Sequence, residues 1–343
     1  MTNIYTCTPR QVRKHVTRCF HAGVVPMVHG SPGIGKSAVM RAVANSLNLE
    51  LVDIRLSMAD PTDLSGLPVF INGRAKFMPF DMFPLEDTPI PNGKAGWLIF
   101  FDEFNSAPKS VQAASYKVVL DRMIGMNKLH PNVVMACAGN LATDRAIVNP
   151  LNTAMQSRLV HLEMVADFDE WVQDVAIPQN MDSRIVAYLS QYPSKLMDFR
   201  PDHQDKTFCA PRTWEFINRL IQGEEVVDID TPLYAGTITS GVATEFVQFT
   251  KVFNSLVTVQ QIIADPNNCP IPQDISAQWA TIARMNELVT EENLQPLMTY
   301  IGRFSMQFRV LALRTILFKN PTWRKHEAIR DQAVKLSKYL WSE

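Results

Sequence analysis

The chain has 343 residues, with 33 Lys and Arg against 34 Asp and Glu and a formal net charge of −1. A 46% hydrophobic, 20% charged composition excludes wholesale disorder, and the near-neutral balance argues against a strong, non-specific polyanion binder. No stretch is apolar over the roughly 18 residues that a membrane helix needs, and the first residues lack the compact apolar segment of a signal peptide.

Five cysteines, Cys7, Cys19, Cys137, Cys209 and Cys269, are widely spaced and form no metal-ligand pattern. The expectation is a cytoplasmic protein with reduced thiols. The length fits two or three domains at roughly 100–200 residues each.

In chain order, residues 9–20 read as a leading amphipathic helix, with Val12, Val16, Cys19 and Phe20 on one face. A short apolar strand at 24–29 then runs into Gly30-Ser31-Pro32-Gly33-Ile34-Gly35-Lys36-Ser37. This is the GxxxxGK[ST] spacing. A helix at about 36–47 follows, with Val39, Met40, Val43, Ala44 and Leu47 at helical intervals. A second strand is expected at 49–56. An insert spans 57–96, where Asn72-Gly73 between apolar-rich runs predicts a hairpin, and Pro84, Pro89, Pro91, Gly93 and Gly96 predict loop.

A third strand, Trp97 to Phe101, ends on the adjacent acids Asp102 and Glu103. A helix at about 108–123 follows, then only a short connection over Asp121 to Pro131. The strand at 132–138 leads to Gly139-Asn140, and Gln156-Ser157-Arg158 precedes a strand at 159–164. Beyond residue 166 the chain turns helical, with helices expected at 167–176, 182–192 and 211–222. Ala210-Pro211-Arg212 opens the last of these, and Gly223 suits its end. More helices follow from 254 to 343. There Arg303, Arg309 and Arg314 beside Phe304, Phe308, Leu311 and Phe318 predict one amphipathic helix.

The chemistry of the glycine-rich turn is specific. Backbone N–H groups can converge on phosphate oxygens only where side chains are small, and the following helix adds its positive end. Lys36 can reach the β- and γ-phosphates, and Ser37 can offer its hydroxyl to Mg²⁺. An acidic pair ending a fully apolar strand lies where α/β sheets bind ligands. Asp102 suits Mg²⁺ through water, and Glu103 suits a general base. Asn140 can hydrogen-bond the γ-phosphate or orient the attacking water. Arg158 and Arg212 each carry a permanent, planar charge suited to a dissociating γ-phosphate.

The ordered set of P-loop, Asp-Glu strand, Asn-ended strand, Ser-Arg before a strand and Pro-Arg opening a later helix resembles the AAA+ ATPase family. The wording Asp60-Pro61-Thr62-Asp63-Leu64-Ser65-Gly66-Leu67-Pro68 and Gln156-Ser157-Arg158 is most similar to its MoxR branch.

The resemblance implies an α/β, three-layer P-loop NTPase domain with a parallel five-stranded sheet over residues 1–165. A helical lid over 166–253 and a C-terminal helical extension over 254–343 would follow. It implies that Gly30 to Ser37, Ala38 and Asp102 bind ATP, with Ser37 and Asp102 at Mg²⁺. Glu103 and Asn140 would be catalytic, Arg158 would reach the neighbouring subunit's nucleotide, and Arg212 would act in its own subunit. The expected assembly is a homo-oligomer, a hexameric ring.

The expected function is remodelling or chaperone-like activation of a protein client driven by Mg-ATP hydrolysis. A client with a von Willebrand factor A domain is the partner that the branch suggests. In related proteins, inserts such as 57–96 line a central pore, where Phe70, Arg74, Lys76 or Phe77 would touch the client; the alternative is a hairpin packed on its own domain.

The alternative is a nucleic-acid-linked motor or helicase loader on the same core, for which the composition offers no clear basic groove. A GTPase lacks support because no Asn-Lys-x-Asp base reader occurs. A nucleotide-gated scaffold that turns over poorly would use the same residues.

Overall fold

The structure is a computed structural model of the chain and describes residues 5–144, 149–254 and 257–336. The chain divides into two compact units. The first comprises residues 1–167 with 199–203, and the second comprises 168–198 with 204–343.

The first unit is a parallel sheet flanked by helices. Its elements are β1 (Thr6–Cys7), α1 (Pro9–His21), β2 (Val25–His29), α2 (Lys36–Ser46), β3 (Leu49–Arg55), α3 (Pro61–Ser65), β4 (Leu67–Ile71), β5 (Arg74–Met78) and β6 (Gly96–Asp102). Then come α4 (Lys109–Asp121), β7 (Met123–Ile124), β8 (Asn127–Lys128), β9 (Val133–Gly139), α5 (Thr153–Gln156) and β10 (Leu159–Met164). The main sheet runs β1-β10-β2-β9-β6-β3, all parallel.

This is the expected α/β plan with one strand more than the five anticipated. Thr6 and Cys7 add an edge strand, pairing with Glu163 and Met164. Two residues are too short to show an alternating pattern.

Burial explains the order. All seven residues of β6 are buried, as a strand covered on both faces requires. Phe100, Phe101 and Phe104 are fully buried, each contributing about 1.5–3 kcal/mol relative to exposure. The leading helix is fixed by Thr8, whose side chain accepts from Gln11 N while Gln11 Oε1 accepts from Thr8 N, a reciprocal cap.

The insert folds as the expected hairpin. β4 and β5 pair antiparallel with Ile71 opposite Arg74. Asn72 and Gly73 both have positive φ, 52° and 75°, as a two-residue hairpin turn demands. The connection after α4 is not plain loop. Met123–Ile124 and Asn127–Lys128 form a small antiparallel hairpin. At its turn Gly125 has φ 57°, and a Cβ there would lie 2.5 Å from Ser65 O.

The second unit is helical: α6 (Phe168–Trp171), α7 (Ser183–Gln191), α8 (Pro211–Ile221), α9 (Thr231–Ile238), α10 (Ser240–Asn254), α11 (Val259–Ala264), α12 (Ile275–Leu288), α13 (Leu294–Ile301), α14 (Met306–Lys319) and α15 (Glu327–Lys335). The helix expected at 167–176 is α6 followed by a π-helical turn over Val172–Ala176. Gly223 follows α8 with φ 78°, the left-handed stop expected there.

Tyr188, Trp214 and Phe246 pack ring to ring at 5.4–5.8 Å. A separate apolar cluster runs from Val259 to Leu336.

The amphipathic helix expected from Arg303 to Phe318 is α14, which holds Phe308, Arg309, Leu311, Arg314 and Phe318 but starts only at Met306, so Arg303 and Phe304 precede it. α13 ends at Ile301, Gly302 follows, and Ser305 precedes α14. Arg303 lies in the break, and its Nη1 donates to Pro266 O at 2.8 Å and Cys269 O at 2.9 Å. Among the described residues no helix is long and apolar enough to cross a membrane.

Candidate nucleotide site

The site residues of the first unit gather at the carboxyl ends of β2, β9 and β6, which are neighbours in that order. Ligands bind parallel sheets at such ends. β2 delivers the glycine-rich turn, β6 delivers the acids, and β9 places Asn140 between them.

The turn is built by its glycines. Gly33 has φ 79° and Gly35 φ 104°, conformations that a side chain would strain. Gly30 N donates to Gly139 O at 3.2 Å, which ties the turn to β9. Helix α2 begins at Lys36, so its unpaired N–H groups and positive end face the turn. Lys36 Nζ donates to Gly30 O at 2.6 Å, Ser31 O at 3.2 Å and Asn140 Oδ1 at 3.2 Å.

Ser37 Oγ donates to Asp102 Oδ2 at 2.7 Å. Asp102 is only 9% exposed, and its other oxygen accepts from Glu103 N at 2.8 Å. A hydroxyl and a carboxylate this close are hard oxygen donors, the set that Mg²⁺ takes alongside water and phosphate. The residues present therefore fit Mg-ATP: a nest of small residues, one lysine, and one Ser–Asp pair. Burial and the nearby Asp102 charge push the Asp53 carboxyl above its usual range.

Glu103 leaves the strand with φ 55°, an uncommon conformation for a residue with a side chain. Its Oε2 accepts from Ser57 Oγ, a residue just past β3.

Asn140 is held by its main chain. Asn105, 4% exposed, donates from Nδ2 to Asn140 O at 2.7 Å and accepts at Oδ1 from Asn140 N at 3.0 Å. A Cβ on Gly139 would overlap Asn105 Oδ1, so the glycine makes that clamp possible.

Ser57 and Asn105 were not singled out in the sequence. Neither sits in a spaced motif, and only the fold brings them to the acids and to Asn140.

His29 also lacked a signal. Its Nε2 and His161 Nδ1 lie 2.9 Å apart, and His161 Nε2 lies 3.0 Å from Gln156 O. A carbonyl only accepts, so His161 carries its proton on Nε2 and His29 donates to His161. Burial, then His161 and Lys36, push the His29 pKa down to about 4.

Arg158 is exposed at the end of α5, and its Nη1 donates to Ala154 O at 2.8 Å. Arg212 lies in the second unit as the second residue of α8.

The fold and site thus define a P-loop nucleotide-binding α/β domain. Residues 26–161 match the family model described as the ATPase family associated with various cellular activities (AAA). No curated protein matches the sequence.

A Cytophaga hutchinsonii protein described as a "putative ATPase" is similar in structure at 12% identity and TM-score 0.39, covering 97% of this chain and 90% of that one. A Thermotoga maritima RuvB variant is similar at 13% identity and TM-score 0.39, covering 83% of this chain and 85% of that one.

Proposed function

We propose that the protein hydrolyses Mg-ATP as a ring-forming homo-oligomer and uses the energy to remodel or activate a protein partner, in the manner of the MoxR branch of AAA+ ATPases. The observation that supports this best is the convergence of Lys36, Ser37, Asp102, Glu103 and Asn140 at adjoining strand ends, with the Ser37–Asp102 contact at 2.7 Å.

In this reading the amides of Gly30 to Ala38 and the Lys36 ammonium hold the phosphates. Ser37 and Asp102 hold Mg²⁺, which would neutralise charge on the β- and γ-phosphates. Glu103 takes the proton of the attacking water, and Asn140 orients that water. Arg158 serves the next subunit's nucleotide, and Arg212 is the second arginine of the reaction. A head-to-tail contact of this kind closes a ring, here a hexamer in the cytoplasm. A client with a von Willebrand factor A domain is the partner class proposed.

The decisive experiment is a pull-down with Glu103→Gln held in ATP. The expected result is a stable ATP-bound ring that retains a protein client. Salt-sensitive stimulation of hydrolysis by DNA, with no retained protein, would instead establish the nucleic-acid motor.

A further inference from the structure

Two histidines tie the segment that carries Arg158 to the glycine-rich turn. β2 ends on His29, the residue before Gly30, and α5 ends at Gln156, two residues before Arg158. Between them lies β10. Its Glu163 is in register with His29, so His161, two residues earlier, faces the same side of the sheet as His29. The two imidazoles stack at 5.2 Å and 19°. His29 Nε2 donates to His161 Nδ1 at 2.9 Å, and His161 Nε2 donates to Gln156 O at 3.0 Å. A chain of hydrogen bonds thus runs from the edge of the turn to the end of α5.

The α5 end depends on that chain. A four-residue helix is not stable alone, and its last carbonyls need donors from beyond the helix. Thr153 O and Met155 O accept from the main-chain N–H groups of Ser157 and Arg158 at 3.2 and 3.0 Å. Ala154 O accepts from Ser157 Oγ at 3.1 Å and Arg158 Nη1 at 2.8 Å. These donors belong to the next two residues and move with the helix. Gln156 O differs, because its donor stands on the main sheet. An arginine that reaches out to another chain must release Ala154 O. His161 then still holds the end of α5 to the sheet.

The two ends of the chain are unequally held. The turn has ties of its own: Gly30 N donates to Gly139 O, and Lys36 Nζ donates to Gly30 O, Ser31 O and Asn140 Oδ1. Loss of His161 therefore leaves the phosphate cradle in place and frees the α5 end. One exposed hydrogen bond contributes little to stability, yet a displacement of about 1 Å in a reacting group can cost about 10²-fold in rate.

We propose, on the reading that Arg158 serves a neighbouring subunit, that His161, oriented by His29, is a positioning residue for Arg158. It holds the end of α5 where the arginine can reach the neighbour's nucleotide. Because His29 adjoins Gly30, each arginine is placed relative to the phosphate cradle of its own subunit.

The test separates the two halves of a shared site. In an equal mixture, the Lys36→Ala chain supplies the arginine and the Arg158→Ala chain supplies the phosphate site. Hydrolysis is counted per chain in the ring fraction from a sizing column, and His161→Leu is added to one chain at a time. In the Lys36→Ala chain it should lower the rate of the mixture at least about fivefold, and in the Arg158→Ala chain it should change the rate by less than about twofold. His161→Gln, whose amide can bring a donor near the place of Nε2, should keep at least about half of the rate in the Lys36→Ala chain.

An equal fall in both chains makes His161 a general support of the domain and overturns the proposal. So does an unchanged rate in both, or a Gln variant no better than the Leu variant. Silence of the mixture before any change at His161 removes the shared arginine itself, and the proposal with it, so the two failures are told apart.

Discussion

At the scale of single residues, the site separates binding from turnover. Glu103→Gln keeps the Ser37–Asp102 metal pair and removes the base, so ATP affinity should persist while kcat falls about 10²–10⁴-fold. Filter binding and a phosphate-release assay check the two halves. The Ser57 hydroxyl donates to the Glu103 carboxylate. Ser57→Ala should therefore lower kcat about tenfold, through misplacement of the carboxylate, at unchanged KM for ATP. A raised KM with kcat intact would show that Ser57 shapes binding instead.

His29 offers a pH signature. Its pKa is pushed down to about 4 in the fold, against about 6.5 unfolded. The unfolded state therefore binds the extra proton first, and the folded state loses stability as pH falls from about 6.5 toward 4. Between pH 7 and pH 5 this amounts to about 2 kcal/mol. His29→Gln should flatten that part of the urea-stability profile, and an identical pH slope in the variant would contradict the assignment.

At the scale of elements, what was readable in the sequence is what short-range physics determines. The P-loop lies between a strand and a helix because its glycines and the apolar runs on both sides act locally. The Asn72-Gly73 hairpin was legible for the same reason. Elements defined by distant partners were not. The edge strand Thr6–Cys7 exists only because β10 offers it a ladder.

The start of α14 at Met306 was hidden by the spacing of Phe304, Phe308 and Leu311, which places Phe304 on the same face before the helix begins. The signals that compete with that spacing are Gly302 itself and Ser305, a stop followed by a start. Packing decides, since a Cβ at Gly302 would meet Gln332 Nε2 at 2.7 Å.

Asn105 shows the same limit within the site, since its clamp on Asn140 spans 35 positions. Gly139→Ala would force Asn105 off that main chain. We expect a loss of about 1–3 kcal/mol and a fall in kcat. Asn105→Ala should reproduce the fall in kcat without the overlap.

The β4–β5 hairpin is an element of another kind. Phe70 is 83% exposed, and Leu67, Phe77 and Met78 are also exposed, so the hairpin spends apolar surface on solvent rather than on its own core. Its base is anchored: Asn127 Nδ2 donates to Phe77 O at 3.4 Å. A deletion of Asn72 and Gly73 should leave ATP binding intact and abolish client remodelling. Normal remodelling in that deletion would remove the hairpin from the mechanism.

At the scale of the whole molecule, the question is where the reaction's arginine comes from. Arg158 is exposed, and its guanidinium donates to the carbonyl of Ala154 at 2.8 Å. If it completes a neighbour's site, two inactive variants should rescue each other. Arg158→Ala leaves a sound phosphate site without the arginine, and Lys36→Ala leaves the arginine without a phosphate site. Mixed in equal amounts, about one interface in four pairs a sound site with an intact arginine, one half multiplied by one half, given random heterologous contacts. Hydrolysis by the mixture should then approach about a quarter of the wild-type rate per subunit, and it should fall on dilution as rings come apart. Two variants that stay as inactive together as apart, while co-assembling on a sizing column, would place the arginine's role inside its own subunit and remove the shared site.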